Sequence, residues 1–176
     1  MTTGSPSPKE LARSQLPNFP EEIFVLWMDK LIDRSSWPPK RLEDDCPKDC
    51  WEKLLLCRSL SYWRSRSWEK KVVYFDSYVF QEMDWRRISD IIGANICGLD
   101  NPISRQIYNT KERFERIRSY VEANLKFPQP PIFLQVSDEK YELMDGHHRL
   151  AVFFYLFTKT EFKRKLDLFC EAWIAT

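Results

Sequence analysis

Apolar residues change their spacing several times along the chain, and each change marks an element. Residues 20–34, PEEIFVLWMDKLIDR, open with Pro20, Glu21 and Glu22, a first turn that favours a helix because proline presets φ and acids complement the dipole. The nearly continuous apolar run that follows predicts a helix packed on more than one side. Beyond the proline-broken SSWPPKRLEDDCPKD, the stretch CWEKLLLCRSLSYWRSRSWEKK reads as one or two helices, with Trp51, Leu54, Leu55 and Tyr62 inward. Residues 72–80, VVYFDSYVF, are β-branched and aromatic and predict a strand. A short helical turn, WRRISDII, should stop at Gly93. Phe114, Ile117, Val121 and Leu125 then recur at helical spacing, the apolar stripe of an amphipathic helix. Asn109 should cap that helix, with Glu112 closing a capping box. PPIFLQV and YELM predict two antiparallel strands joined by a turn at SDEK. LAVFFYLFTKTEF should be a buried helix and LDLFCEAWIA a last strand.

The order is helices first, then a mixed core, so the expected fold class is α+β. Residues 1–16, rich in Ser, Thr, Pro and Gly, read as a flexible tail. Residues 17–70 read as a helical extension and 71–176 as the α+β domain. At 176 residues and 43% hydrophobic, the chain can bury a substantial core. The 27 basic and 26 acidic residues leave a net charge of +1, which excludes a surface that is basic throughout and wraps nucleic acid. The first residues contain no apolar signal-peptide core, and the run Ile23–Met28 is too short to span a bilayer. A cytoplasmic protein with reduced thiols is expected, with peripheral membrane association or docking on a partner as an alternative use of the IFVLWM helix.

The densest chemistry is YELMDGHHRL, residues 141–150, which holds both histidines and one of the four glycines. A strand should lead through Asp145-Gly146-His147-His148-Arg149 into a helix. Glycine permits a tight turn and close approach of a ligand. The first amides of a helix lack intrahelical partners and favour anions. Arg149 supplies a guanidinium fork for phosphate, Asp145 a hard oxygen for Mg²⁺, and the adjacent histidine a proton near neutral pH. The competing reading is structural: Asp145 as a cap, Arg149 on the surface and one histidine satisfied in the core.

The arrangement PPIFLQVSDEKYELMDGHHRLAV resembles the ParB/sulfiredoxin superfamily, in which a strand, a turn and a second strand lead to a Gly-x-x-Arg phosphate loop opening a helix. Upstream, NPISRQIYNTKERFERIRSYV is similar to the ParB box, with Asn101, Pro102 and Arg105 at its Asn-Pro and Arg positions. The resemblance covers about residues 88–160 and leaves the first 70 outside. It implies a ParB/sulfiredoxin-like mixed sheet with flanking helices, and a nucleotide site built from Asn101, Arg105, Gly146 and His147, with Asp145, His148 and Arg149 as the catalytic set. ParB proteins resemble Gly-Glu-Arg-Arg at the loop and sulfiredoxins Gly-Gly-Cys-His-Arg, so neither the partition switch nor sulfinic-acid repair carries over. Asp-Gly-His-His-Arg is closer to the free serine kinases of this fold.

Compact size and the lack of a partition module also make the chain similar to plasmid-encoded fertility-inhibition (oncogenic-suppression) proteins, a group associated with ATP hydrolysis and DNA cleavage against transferred DNA. The resulting expectation is an ATPase that uses ATP and Mg²⁺, coupled to DNase activity, with DNA and conjugation or secretion machinery as partners. A small-molecule phosphotransferase, with Asp100 or Glu112 as base, and a non-catalytic inhibitor are the alternatives.

Two further features carry competing readings. Arg64 and Arg66 alternate with Trp63 in a basic, aromatic segment that would suit single-stranded nucleic acid. A helix with a solvated basic face and buried tryptophans explains the same pattern and is preferred. Cys46, Cys50 and Cys57 lack the usual two-residue spacing of a zinc site and have no histidine nearby, so packed thiols are expected.

Overall fold

A computed structural model describes residues 5–35, 37, 55, 58–75, 80–96, 110–138, 140–166 and 169–176. The chain divides into two compact units, Met1–Trp68 and Glu69–Thr176.

In the first unit, the expected tail is instead helical over Pro8–Gln15 (α1). Ser7 and Glu10 form a capping box, each side chain bonded to the other's backbone N–H, and Pro8 stands at the first helical position. The second helix, α2, starts as Glu21–Ile23, widens into a π turn over Phe24–Met28 and continues as Asp29–Ser35. Phe24, Leu26, Trp27 and Met28 are all buried, in keeping with its all-round apolar sequence. Arg13 binds the helices together, reaching Glu21 at 2.6 Å and Asp29 at 3.1 Å while lying over the Phe24 ring. A five-residue helix, α3, spans Leu60–Arg64. Of the residues expected to point inward from this region, Leu55 is buried and Tyr62 half-buried, while Trp51 and Leu54 lie outside the described residues.

The second unit is α+β. A four-stranded mixed sheet has the order β1-β4-β2-β3, where β1 is Trp68–Tyr74, β2 Ile132–Ser137, β3 Lys140–Asp145 and β4 Phe169–Ala175. The hairpin β2–β3 is antiparallel, and β2 runs parallel to β4. Helices α4 (Glu82–Ile96), α5 (Thr110–Asn124), α6 (His147–Phe157) and α7 (Thr160–Lys163) flank it. Against expectation, α4 continues through Gly93. A glycine inside a helix costs only about 1 kcal/mol, and the buried anchors Ile88 and Ile91 hold the preceding turns.

The core lies where α4, α5 and α6 meet the sheet. Phe75, Ile88, Ile91, Phe114, Val121, Phe133, Leu150 and Ile174 are each at most 1% exposed. Each fully buried side chain of this size contributes roughly 1.5–3 kcal/mol. Central to this is α6, whose Leu150, Ala151, Val152, Phe153 and Leu156 are all buried and which packs on both α4 and α5. The stripe on α5 departs from expectation at its end: Phe114, Ile117 and Val121 are buried, but Leu125 is 41% exposed. The proposed cap Asn109 lies outside the described residues.

Candidate functional site

The antiparallel register sets the end of β3 opposite the start of β2, with Asp145 against Ile132. Gly146 then turns the chain into α6 at φ +122, a conformation open to glycine and strained for other residues. A Cβ there would lie 2.9 Å from the Cβ of Pro131 and 3.3 Å from Arg149 Nη2. The first helical bond of α6 runs from Leu150 N to Gly146 O at 2.9 Å. Gly146 offers no side-chain cap, so the amides of His147, His148 and Arg149 stand at an uncapped helix N-terminus, where the dipole favours an anion.

The structure brings Asp145, Gly146, His147, His148 and Arg149 together and shows how their side chains are engaged. Arg149, one turn beyond Asp145, donates from Nη2 to Asp145 Oδ2 at 2.5 Å and lies 3.5 Å from Pro130 O. Its side chain is 8% exposed, against 27% for Asp145. The guanidinium is therefore a buried partner of the loop carboxylate, and its Nε has no partner among the described residues.

His147 has a partner that sequence reasoning missed. Its Nε2 lies 3.2 Å from Asp84 Oδ1, while Asp84 Oδ2 accepts the Leu143 N–H at 2.8 Å. Asp84 sits in the first turn of α4, so this helix aims a fixed carboxylate at the loop. A carboxylate so placed orients the imidazole and fixes which ring nitrogen faces it.

His148 is buried, and its Nε2 has no partner among the described residues. Burial first, then the charges of Arg113, His147 and Arg87, push its pKa down to about 4, with only Asp145 opposing. His148 is thus neutral at pH 7, and Arg87 of α4 and Arg113 of α5 join the field around the loop. A pH dependence follows. An unfolded chain protonates this imidazole near its ordinary value of 6.5, and the folded one only near 4. Stability from this group is therefore complete above about pH 6.5, declines as pH falls from there, and levels off below about pH 4. Urea midpoints of wild type and His148→Gln across this range should converge as pH drops; parallel curves would contradict it.

Asn101, Arg105 and Asp100 lie outside the described residues, and Glu112 is exposed in the first turn of α5. Trp63 follows the preferred reading of a buried tryptophan and not the nucleic-acid alternative. It is fully buried, donates from Nε1 to Leu55 O at 2.9 Å and packs edge-on against Trp27, so it has no face to offer a base. Arg64 donates to Gln15 O at 2.6 Å, and Arg66 lies over the Tyr62 ring. No residue pattern pointed to Asp84, Arg87 or Arg113: Asp84 is 63 positions from His147, and only the packing of α4 and α5 on α6 makes them neighbours.

Among the described residues no helix is long and apolar enough to cross a membrane. No protein-family model, curated protein or solved structure matches the chain.

Proposed function

We propose that the β3–α6 junction is a phosphate-binding loop and that the second unit is a Mg²⁺-dependent nucleoside triphosphatase of ParB/sulfiredoxin type, with ATP as substrate. The observation that carries this is the uncapped start of an 11-residue helix, entered through a glycine with no room for a side chain, with Arg149 in its first turn and the charges of Arg87 and Arg113 acting on His148. Amide dipoles and guanidinium groups held near a transferring phosphoryl group stabilise its developing charge.

In such a site, water attacks the terminal phosphorus as the bond to the departing diphosphate breaks. His147, steadied by Asp84, is the group best placed to take the proton of that water. His148, neutral and buried, suits a hydrogen bond to the developing charge more than proton transfer. Among the described residues no three His, Cys, Asp or Glu side chains form a metal cage. Mg²⁺ arriving with a nucleotide needs none, since it keeps several waters and takes one or two carboxylates plus phosphate oxygens. Asp145 is the carboxylate of the loop.

The Asp84–His147 pair also favours a second reading, a small-molecule phosphotransferase in which this pair, rather than Asp100 or Glu112, activates an acceptor hydroxyl. Adding serine to a nucleotide-turnover assay separates the two, and adding DNA tests the wider idea of action on transferred DNA. The mutual neutralisation of Asp145 and Arg149 favours a third, a non-catalytic binding module, which would keep its biological activity in Asp84→Asn.

A thermal-shift panel of ATP, ADP, CTP and GTP, with and without Mg²⁺, tests the central claim. Saturating ligand at a hundredfold above Kd adds about 2.7 kcal/mol. Mg²⁺-ATP should raise the melting temperature of the wild type, and Arg87→Ala and Arg113→Ala, both at exposed positions, should weaken that effect. Arg149→Ala is a poor probe, because it also removes the partner of Asp145. If no nucleotide stabilises the wild type, the proposal fails.

A further inference from the structure

We propose that a cavity beside the loop seats the flat ring of the same phosphate-bearing ligand, a group of nucleobase size. This rests on the phosphate-loop reading and adds the substrate's second half. The cavity, about 270 Å³, is walled by Leu125, Phe127, Pro130, Phe153 and Phe169. That is room for one ring system, below the roughly 300–1,000 Å³ of sites that enclose whole drug-sized ligands.

Its position links it to the loop. Pro130 forms part of its wall and its carbonyl faces Arg149 Nη2, while the next residue, Pro131, lies directly beneath Gly146. The β2–β4 register pairs Ile132 with Trp173, so Phe169 and Cys170 extend past the first residue of β2. Cavity and loop therefore open at the same end of the sheet, with the two prolines between them.

Two observations point to an apolar, flat occupant. Leu125 is the one non-glycine residue at positive φ among the described residues, and its strained turn holds an exposed leucine at the cavity instead of in the stripe of α5. Phe169 lies against Tyr74 with ring centroids 5.0 Å apart and is 56% exposed. The rim carries Lys126 and Glu171, opposite charges with no ion-pair partner among the described residues. A cation and an anion flanking an aromatic slot match the donors and acceptors on the edge of a base, and they disfavour a plain hydrocarbon chain. Cys170 is only wall: burial first, then Glu171, pushes its thiol up to about 12, far from the thiolate a nucleophile needs.

Calorimetric titration with adenosine, cytidine, inorganic triphosphate, ATP and CTP, all with Mg²⁺, tests this on wild type, Phe169→Ala and Leu125→Gly. Both variants should fold, since Phe169 is largely exposed and glycine relieves the strained φ. The wild type should bind ATP or CTP at least about tenfold tighter than triphosphate. Each variant should weaken nucleotide and nucleoside by on the order of tenfold and leave triphosphate unchanged. Equal affinity of wild type for triphosphate and nucleotides would overturn the ring seat, as would variants that weaken triphosphate equally. Failure of every nucleoside and nucleotide to bind would do the same. Nucleoside binding that Phe169→Ala abolishes, without any triphosphate binding, would instead remove the phosphate reading and leave the ring seat standing.

Discussion

Gly146→Ala should lower unfolding stability by about 3 kcal/mol. Holding a side chain at a backbone conformation proper to glycine costs of order 1–3 kcal/mol, and forcing a methyl into a filled space costs a similar amount. At Gly146 both apply, because φ is +122 and the added Cβ would meet Pro131 Cβ at 2.9 Å. The Arg149 Nη2 contact at 3.3 Å can yield, since it is the end of a flexible side chain. Pro131 cannot yield as easily: its carbonyl accepts the Trp173 N–H at 3.0 Å, so moving it disturbs the β2–β4 pairing. For a chain of this size the melting temperature should fall by on the order of 10 °C. Guanidinium unfolding checks it. A loss under about 1 kcal/mol would mean that the junction relaxes freely, and would remove the rigidity that the phosphate-loop proposal requires.

The loop was legible in sequence because its chemistry is local. Asp145 to Arg149 are consecutive, and the change from strand to helix spacing on either side locates them at a junction. What each side chain does there was not legible, because its partners come from elsewhere. Asp84 reaches His147 through the docking of α4, and Arg149 turns back to Asp145 because the two lie one helical turn apart. Local rules also misled. Composition suggested a tail over residues 1–16, although Ser7 and Glu10 already spell a capping box. Gly93 looked like a stop signal, but the packing of Ile88 and Ile91 outweighs one glycine. Leu125 fits the stripe of α5 by count, yet the helix ends at Asn124 and the chain turns before the side chain can reach the core.

Asp145→Ala should cost about 3 kcal/mol, and that loss is a test of function as well as of fold. Removing one member of a buried pair leaves the other charge uncompensated, typically at 3–5 kcal/mol. The lower end applies here because the Asp145 side chain is 27% exposed while that of Arg149 is 8%. Among the described residues Arg149 has one further polar contact, the Pro130 carbonyl at 3.5 Å, too long to replace a carboxylate. Asp145→Ala combined with Arg149→Met should recover most of the stability, because methionine fills the space without a charge. The informative step is to add inorganic phosphate to each protein. If the loop binds anions, phosphate can take the place of the lost carboxylate beside Arg149, and it should stabilise Asp145→Ala more than wild type and the double variant least. Equal stabilisation of all three would show that phosphate acts on the protein generally, and would sink the claim that this guanidinium faces an anion site. A single variant that loses stability and recovers it only with phosphate would tie the buried pair to the ligand: the carboxylate would be the group that holds the arginine's place until phosphate arrives.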